Sequence, residues 1–299
     1  MVRKIIYFIN PISGTQGKSS LQELITNKTS AQKIDFEIRS TDPGGDYVFL
    51  RKKIINEQVT DIVICGGDGT VNAISASLVG IEVNIGIIPM GSGNGLAYTA
   101  KIPRDPAKAL DLIFQGKAGY VDGFYINGIF SCMLCGIGFD AWVAGEFANQ
   151  KKRGLFTYIR VSLIHYFRSA YYPLRILLPG DSFPAEVFFI SIANSNQFGN
   201  HFTIAPKASL DDGLLDIVVV NKMNRFALPF MILGQVFGLN PLQKNPDFKK
   251  RYKILYFQTD SLTILNPEKA PLHVDGEPRP GAAEFEIKII RRAIRLIQP

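Results

Sequence analysis

Residues 62–74 read IVICGGDGTVNAI and join an apolar run to a glycine turn, an aspartate and a helix-like segment. The β-branched run before Gly66 has the composition of a buried strand. Gly66, Gly67 and Gly69 permit a tight turn, and the amides that open the following helix can face a phosphate group. A carboxylate beside phosphate is repulsive unless it holds a metal ion or handles a proton, so Asp68 indicates Mg²⁺-nucleotide chemistry. A plain strand-to-helix turn with Asp68 as its N-cap is the alternative.

A second glycine turn follows the next predicted strand, in IGIIPMGSGNGLA at 85–97. The carboxyl ends of parallel strands share one edge of a sheet, where ligands bind. Two glycine turns at that edge can enclose a nucleotide from two sides. A turn that binds nothing is the alternative.

Around these two turns, short β-branched runs alternate with helix-like segments from residue 4 to about 120. The predicted strands are KIIYFIN, DFEIRST, DIVICGG and NIGIIPM, and the predicted helices lie near 18–30, 46–58, 70–79 and 105–116. Such alternation predicts a parallel sheet covered by helices, an α/β domain.

After about residue 121 strands follow one another with few helices between them, which predicts an antiparallel β-sandwich or barrel. Helical insertions are expected near 141–170 and 224–239. We therefore expect an α/β domain at 1–122 and an all-β domain at 123–299, whose C-terminal tail can return to the first domain.

Composition limits the classes of protein to consider. The 299 residues are 46% hydrophobic and 20% charged, as in globular proteins that bury a core. The net charge of +7 favours anionic partners such as nucleotides or an anionic membrane. We found no pattern typical of nucleic-acid binding. The N-terminal apolar run is too short for a signal peptide, so a cytoplasmic location is expected.

Two further motifs resemble a P-loop and a zinc site but lack residues that these sites need. Gly17, Lys18 and Ser19 suggest a nucleotide-binding P-loop, but Ile12 stands where that loop needs a glycine. Cys132 and Cys135 have the spacing of zinc ligands, but the three histidines are not spaced to complete such a site. The cysteines are expected in the core.

Seven ordered blocks together resemble the diacylglycerol kinase catalytic-domain family, which includes bacterial lipid kinases, sphingosine kinases and ceramide kinases. The resemblance spans nearly the whole chain. The blocks are NPISG at 10–14, GGDGTVN at 66–72, PMGSGNGLA at 89–97, VDG to NG at 121–128, GIGFDA at 136–141, APKASLDDGLLD at 205–216 and VDGEP at 274–278.

The resemblance implies a first domain with the nucleotide fold of phosphofructokinase and NAD kinase, a β-sandwich second domain, and ATP in the cleft between them. Glu277 would accept the proton of a lipid hydroxyl, and Asp122 would join Asp68 and Glu277 in an acid network that needs Mg²⁺. An ordinary Asp-Gly hairpin turn before Glu277 is the alternative. The implied ATP site comprises Asn10, Thr41, Gly66, Gly67, Asp68, Gly69, Thr70, Val71, Asn72 and Ser92.

The resemblance also implies a structural Mg²⁺ in the 208–216 loop, held by Asp212 with Ser209 and Leu214. A bare Asp-Asp-Gly turn is the alternative. Asp140 is similar to the acid with which sphingosine kinases recognise the lipid head group, so the resemblance implies that Asp140 binds the substrate.

Residues 149–178 mix basic and apolar side chains at helical spacing, and 226–239 is the longest apolar stretch. The first predicts an amphipathic helix that either meets anionic lipid or packs on its own domain, and the second can help admit acyl chains.

Together with the sequence patterns, the resemblance implies an ATP- and Mg²⁺-dependent lipid kinase that binds peripherally to an anionic membrane. Two other functions stay open: a soluble-substrate kinase related to NAD kinase, and a lipid-binding protein without activity. Which lipid hydroxyl is the acceptor, and whether the chain forms a homodimer, also stay open.

Overall fold

The computed structural model describes residues 2–12, 18–42, 44–150, 155–167, 169–196 and 203–299. The chain divides into two compact units, one formed by Met1–Val121 with Arg292–Pro299 and the other by Asp122–Arg291.

The first unit alternates strands and helices as the sequence predicts. Its elements are β1 (Lys4–Ile9), α1 (Lys18–Ala31), β2 (Asp35–Ser40), α2 (Phe49–Glu57), β3 (Asp61–Gly66), α3 (Asp68–Leu78), β4 (Asn84–Pro89), α4 (Gly95–Thr99) and α5 (Pro106–Gln115). The strand order is β2, β1, β3, β4, and every pair is parallel. All six residues of β3 are buried, which explains why this strand reads as one apolar run.

The register brings the carboxyl ends of the four strands to one edge of the sheet. Ile9 at the end of β1 lies opposite Ser40 of β2 and Cys65 of β3, and Gly66 lies opposite Pro89 of β4. The segments that follow these strands therefore leave the sheet side by side.

The second unit is built mainly from antiparallel strands. The remaining elements of the chain are β5 (Lys117–Ile126), β6 (Ile129–Ser131), β7 (Leu134–Gly138), α6 (Phe139–Ala148), α7 (Leu155–Tyr166), β8 (Tyr172–Leu178), β9 (Asp181–Ala193), β10 (Leu215–Asn221), α8 (Leu228–Val236), β11 (Ile254–Thr259), β12 (Ser261–Leu265), β13 (Leu272–Val274), β14 (Glu277–Arg279) and β15 (Glu284–Gln298). The first residues of β5 and the last of β15 belong to the first unit.

The strands at the centre of the second unit are buried on both faces. In β10, Leu215, Ile217 and Val219 belong to one apolar cluster, whereas Val218 and Val220 belong to another. Because successive side chains of a strand point to opposite faces, such a central strand needs apolar residues at consecutive positions, as at residues 217–220. The antiparallel, sandwich-like half that the sequence predicts is confirmed.

The helices and the cysteines can be compared with the sequence predictions. Within the described part of the chain, none of the helices combines the length and apolar character needed to cross a bilayer. Cys132 and Cys135 are buried in the core, as expected, and so is Cys65 in the first unit. The two short strands of the β13–β14 hairpin are not among the predicted strands, although its Asp-Gly turn is the alternative considered for this motif.

Arg3→Met should destabilise the first unit. Arg3 donates two hydrogen bonds to the buried carboxylate of Asp61, at 2.9 and 3.0 Å, and two more to the carbonyl oxygens of Ile113 and Phe114. Removing the guanidinium leaves a buried charge without its partner, so we expect a loss of about 3 kcal/mol in the free energy of unfolding, measured by urea titration.

Lys28→Met is the matched control in the same unit. The Lys28–Asp111 pair is more exposed, with side chains 30% and 52% accessible, so its removal should cost at most about 1 kcal/mol. Equal losses in the two variants would contradict this account of Asp61.

Candidate functional site

The residues expected to bind nucleotide in the first unit follow the four strands at the shared sheet edge. The Asn10 amide donates to the carbonyl of Cys65 at 2.9 Å, and the Thr41 amide donates to the carbonyl of Ile9 at 3.1 Å. The Met90 amide donates to the carbonyl of Gly66 at 2.9 Å. These backbone contacts bring the segments after β1, β2, β3 and β4 together. Ser92 lies exposed in the turn after β4.

The two glycine turns are packed against each other. A Cβ atom on Gly91 would lie 2.6 Å from the Cα of Gly67, and one on Gly67 would lie 3.1 Å from the Cα of Gly91. A Cβ on Gly93 would lie 2.6 Å from the Oδ2 atom of Asp68. The two contacts of 2.6 Å are shorter than a real Cβ atom allows, and the contact of 3.1 Å is tight, so glycine permits the close approach of the two turns.

Asp68 connects the two turns. Although α3 begins at Asp68, its carboxylate interacts with the backbone amides of Asn94, Gly95 and Leu96 in the other turn, which lower its pKa. The N-cap position of α3 is held by Gly67, which has no side chain to cap the helix. The alternative interpretation of Asp68 as a simple N-cap therefore does not describe the structure.

Burial raises the pKa of Asp68 to about 6, and the interactions with the backbone amides only partly offset that desolvation. A carboxyl group with a pKa in this range is held in a place that favours its neutral form. A cation or a proton donor beside Asp68 would stabilise its buried carboxylate. This makes Asp68 a candidate functional group.

Asn10 and Thr70 form a polar contact beside this turn. The side-chain NH₂ group of Asn10 donates to the Thr70 hydroxyl at 2.7 Å, and the side-chain Oδ1 atom of Asn10 accepts from the backbone amide of Ile12 at 2.9 Å. A Cβ on Gly66 would lie 2.8 Å from the Thr70 side chain, so Gly66 makes room for this contact. Ser13, Gly14 and Gly17 of the N-terminal motif lie outside the described residues.

A pocket of about 330 Å³ opens in the first unit beside Thr41. The guanidinium of Arg39 lies 5.6 Å from the centre of the Phe49 ring, and the Tyr47 hydroxyl accepts from the amide of Asp42 at 3.0 Å. Its lining residues are Phe8, Arg39, Ser40, Asp42, Tyr47 and Phe49. Aromatic and guanidinium surfaces suit a flat heterocycle. Apart from their neighbour Thr41, no motif marked these residues in the sequence.

In the second unit, Asp122 is buried against the 208–216 loop. Its Oδ2 atom accepts from the amide of Gly213 at 2.8 Å, and its own amide donates to the carbonyl of Leu210 at 2.6 Å. The pKa of Asp212 is raised by burial first and then by the charges of Asp122 and Asp211. Several acids are thus held close together in this loop.

The residues expected to hold a structural Mg²⁺ lie in the same loop. The Asp212 carboxylate accepts from the amide of Leu214 at 3.0 Å, and the Ser209 hydroxyl donates to Asp211 at 2.8 Å. Nowhere in the described part of the chain do three or more acidic, histidine or cysteine side chains form a metal-binding group. The raised pKa of Asp212 is nevertheless the effect that a bound cation would relieve, so these oxygen donors are compatible with Mg²⁺.

Asp216 is a further buried acid beside this loop that the sequence reasoning did not single out. Burial raises its pKa to about 6, and it accepts hydrogen bonds from the Tyr256 hydroxyl and, at 3.0 Å, from the Gln258 amide. The only feature of the sequence that marks Asp216 is its position at the end of the ASLDDGLLD motif.

Glu277 lies exposed at the start of β14, directly after a tight hairpin turn. Asp275 and Gly276 have φ angles of 52° and 81°, which indicates a two-residue turn of the type I′ class. The Asp275 carboxylate accepts from the Ser131 hydroxyl at 2.6 Å and from the Leu134 amide at 3.0 Å. Asp275 therefore anchors the turn, and Glu277 is the acid that projects from it.

Asp140, near the start of α6, is only 6% exposed. Its Oδ1 atom accepts from the amide of Ala141 at 2.8 Å, and its Oδ2 atom lies 3.4 Å from Nε2 of His273. The substrate-binding role expected from the resemblance stays a prediction. The pairing with His273 was not foreseen.

A second pocket, also about 330 Å³, lies between α6 and the β13–β14 hairpin. Trp142 and Glu146 of α6 line one side, and Pro278 and Arg279, which directly follow Glu277, line the other. The pocket offers both apolar and charged surface next to the exposed acid.

Comparison with known proteins identifies two domains in the chain. The model of the diacylglycerol kinase catalytic domain matches residues 4–126, and the model of the YegS C-terminal NAD kinase beta sandwich-like domain matches residues 134–298.

Similar proteins match both domains together. A diacylglycerol kinase of Staphylococcus carnosus (strain TM300) is 28% identical over 281 residues, which cover 92% of this chain and 88% of that protein. A protein named "Probable lipid kinase YegS-like" from Shewanella frigidimarina (strain NCIMB 400) is 26% identical, covering 93% and 88%. A crystal structure described as a diacylglycerol kinase from Bacillus anthracis str. Sterne superimposes with a TM-score of 0.75 at 21% identity, covering 99% and 97%. This likeness shows the fold.

Asp68→Asn should stabilise the ligand-free protein at neutral pH. The pKa of Asp68 in the folded protein, about 6, lies above that of an unfolded aspartate, about 3.9. The stabilisation from its protonated form is therefore present below about pH 4 and is lost as the pH rises through 6. The variant cannot ionise, so its advantage in the free energy of unfolding should grow from pH 4 to pH 7, by up to about 3 kcal/mol.

Urea titration at several pH values measures this difference. Asp35→Asn, at a side chain that is 66% exposed, is the control for the loss of one carboxylate. An advantage of Asp68→Asn that does not change between pH 4 and pH 7 would contradict the raised pKa.

Proposed function

Because the chain belongs to the family that joins a diacylglycerol kinase catalytic domain to a YegS-type C-terminal domain, we propose that it is an ATP- and Mg²⁺-dependent lipid kinase. The acceptor is the hydroxyl group of a diacylglycerol, a sphingoid base or a related lipid. The observation that carries the proposal is Asp68, an acid whose pKa is raised by burial and which lies between two glycine turns at the ligand-binding edge of a parallel sheet.

The first unit offers the features that a triphosphate needs. The amides of Asp68, Gly69 and Thr70 lie in the first turn of α3, which has no side-chain cap, so they can face phosphate oxygens. Asn10 and Thr70 add oriented polar groups at the same place. The pocket beside Thr41, with Arg39 and aromatic side chains, suits the purine ring. In this arrangement Ser92 approaches the nucleotide from the second turn.

Mg²⁺ bound with ATP neutralises the charge of the phosphates and stabilises the charge that develops during transfer. Asp68 is the side chain proposed to hold this ion, because a cation beside it offsets the desolvation of its carboxylate. A separate structural Mg²⁺ is proposed at Asp212, with Ser209 and Leu214, because burial and then the neighbouring acids raise the pKa of Asp212.

The proposed reaction is an in-line transfer of the γ-phosphoryl group. A bond forms between the lipid hydroxyl oxygen and the γ-phosphorus, the bond to the bridging oxygen of ADP breaks, and the hydroxyl proton passes to Glu277. Most of the rate comes from positioning and charge stabilisation, and the carboxylate orients the hydroxyl and accepts its proton. Asp122 is proposed as the third acid of the network with Asp68 and Glu277. The hydrogen bond from the Gly213 amide of the 208–216 loop holds its carboxylate in place.

An assay with radiolabelled ATP tests the proposal. Diacylglycerol, sphingosine and ceramide are presented in mixed micelles, and NAD is included as a soluble acceptor. The proposal expects Mg²⁺-dependent label on at least one lipid. Label on NAD alone would establish the soluble-substrate kinase instead, and label on no acceptor would leave the inactive lipid-binding protein.

Glu277→Gln should lower kcat by about 100-fold or more while the affinity for ATP stays within about twofold, because the substitution removes only the proton acceptor. Glu284→Gln, at another exposed acid of the second unit, is the control and should retain wild-type turnover. Unchanged turnover in Glu277→Gln would remove the role proposed for Glu277.

The second unit also presents an apolar surface that suits a membrane. Large apolar side chains are more than 45% exposed on α7, on α8 and on the segments beside α8. The Phe167 and Phe226 rings lie 6.4 Å apart and connect the two groups, and Lys222 and Arg225 lie next to them in the chain. The exposed residues are Leu163, Ile164, Phe167, Phe226, Phe230, Leu233, Phe237 and Leu239, which we call the α7–α8 surface.

We propose that the α7–α8 surface binds an anionic membrane, with the protein acting peripherally from the cytoplasm. Exposed aromatic side chains beside basic ones are typical of surfaces that insert into the headgroup region. Residues 151–154 and Arg168, which include other basic residues of the predicted amphipathic segment, lie outside the described residues.

The double variant Phe230→Ser and Phe237→Ser should lose most of its binding to vesicles that contain anionic lipid, measured by flotation, because two inserted rings are removed. Ile55→Ser, at a 73% exposed apolar residue of α2, is the control and should bind normally. Normal vesicle binding by the double variant would contradict the proposal. A change in sedimentation from dimer to monomer would instead identify the surface as a contact between copies.

A further inference from the structure

A buried acid and a buried histidine come together beneath the β13–β14 hairpin. The Oδ2 atom of Asp140 lies 3.4 Å from Nε2 of His273, and their side chains are only 8% and 2% exposed. The two residues are 133 positions apart in the sequence and lie on α6 and β13, both in the second unit. A charge so far from water is costly unless it is compensated, so this contact requires an explanation beyond packing.

Gly136 creates the space for this contact. It lies opposite His273 in the pairing of β7 with β13. A Cβ atom at Gly136 would lie 1.9 Å from Oδ2 of Asp140 and 2.6 Å from Nε2 of His273. Every residue larger than glycine would therefore separate the acid from the imidazole.

The other nitrogen of the imidazole holds the hairpin turn. Nδ1 of His273 accepts a hydrogen bond from the amide of Gly276 at 3.2 Å. An acceptor nitrogen carries no proton, so the proton of the neutral ring is assigned to Nε2, which faces Asp140. The Oδ2 atom of Asp140 accepts no hydrogen bond from the described residues, but its charge at 3.4 Å from Nε2 favours electrostatically the one tautomer that can accept from Gly276, the residue directly before Glu277.

We propose that Asp140 and His273 are positioning residues that orient Glu277 through the Gly276 amide. This inference rests on the role proposed above for Glu277. Asp275 anchors one side of the turn through Ser131 and Leu134, and the imidazole anchors the other. With both sides held, the exposed carboxylate of Glu277 projects from a turn of fixed geometry, which is what efficient proton transfer needs.

Asp140→Asn is the decisive substitution, because the backbone fixes its orientation. The amide of Ala141 donates to Oδ1 of residue 140, so the carbonyl oxygen of the new side chain stays at that amide. Its NH₂ group then faces Nε2 of His273 and must donate to it. The ring proton moves to Nδ1, where it opposes the N–H group of Gly276, and the hydrogen bond to the turn is lost.

Nitrogen-15 NMR of the imidazole rings tests the pair itself, independently of activity. The chain has three histidines, and the signals of His273 are identified by their absence in His273→Gln. We expect the Nε2-protonated tautomer in the wild type and the Nδ1-protonated tautomer in Asp140→Asn. The same tautomer in both proteins would overturn the proposal.

Kinetics with ATP and diacylglycerol in mixed micelles test the consequence for Glu277. Asp140→Asn should lower kcat by about 10- to 100-fold, with the KM for ATP unchanged, because only the acceptor side loses its geometry. The double variant Asp140→Asn, Glu277→Gln should be no slower than Glu277→Gln alone, since positioning has no value once the acid is gone. Multiplying losses, or a wild-type kcat in Asp140→Asn, would overturn the inference.

Two controls separate positioning from folding and from the proposed function. Asp181→Asn removes an exposed carboxylate that also accepts from the next residue's amide, at 2.7 Å, and should keep wild-type kcat. His273→Asn keeps an acceptor atom near the place of Nδ1 and should restore much of the activity that His273→Leu loses. Equal loss in these two variants would overturn the inference, and wild-type turnover in Glu277→Gln would instead overturn the proposed function on which it rests.

Discussion

The close contact between two glycine turns is the constraint on which the nucleotide half of the site depends. Gly67 and Gly91 approach so closely that a Cβ on Gly91 would lie 2.6 Å from the Cα of Gly67. The amides of residues 94–96, which follow Gly91 in the second turn, interact with the carboxylate of Asp68. The sheet makes the contact possible, because parallel register ends β3 and β4 at the same level. The site is therefore a product of strand register and of glycines that leave room for each other.

Acids held where their charged form is disfavoured recur in both units. Burial raises the pKa of Asp68 and of Asp216 to about 6, and burial with neighbouring acids raises that of Asp212. Each of these positions reduces the stability of the ligand-free protein at neutral pH. Such a cost is expected where a bound cation offsets the desolvation of the carboxylate, and perturbed carboxyl groups concentrate at functional sites. Glu277 differs, since it is exposed on a turn whose backbone is anchored from both sides.

Local signals in the sequence were sufficient for the fold and for the glycine turns. Fully buried strands such as β3 read as apolar runs, and the change from alternating elements to successive strands separated the α/β half from the sandwich-like half. What the sequence could not provide were contacts between distant residues. The β13–β14 strands have only three residues each, too few to show a period, and the Asp140–His273 contact joins positions that no local motif relates. The pocket beside Thr41 likewise depends on how Arg39, Tyr47 and Phe49 fold around the end of β2.

The central claim is that the triphosphate of ATP lies on the glycine turn after β3, with its metal ion at Asp68. A crystal structure with a non-hydrolysable ATP analogue and Mg²⁺ tests this most directly. We expect phosphate oxygens within hydrogen-bond distance of the amides between Gly67 and Asn72, and an Asp68 oxygen in the inner or outer coordination sphere of the ion. An analogue bound with its phosphates away from this turn, or a metal ion with no contact to Asp68, would contradict the account.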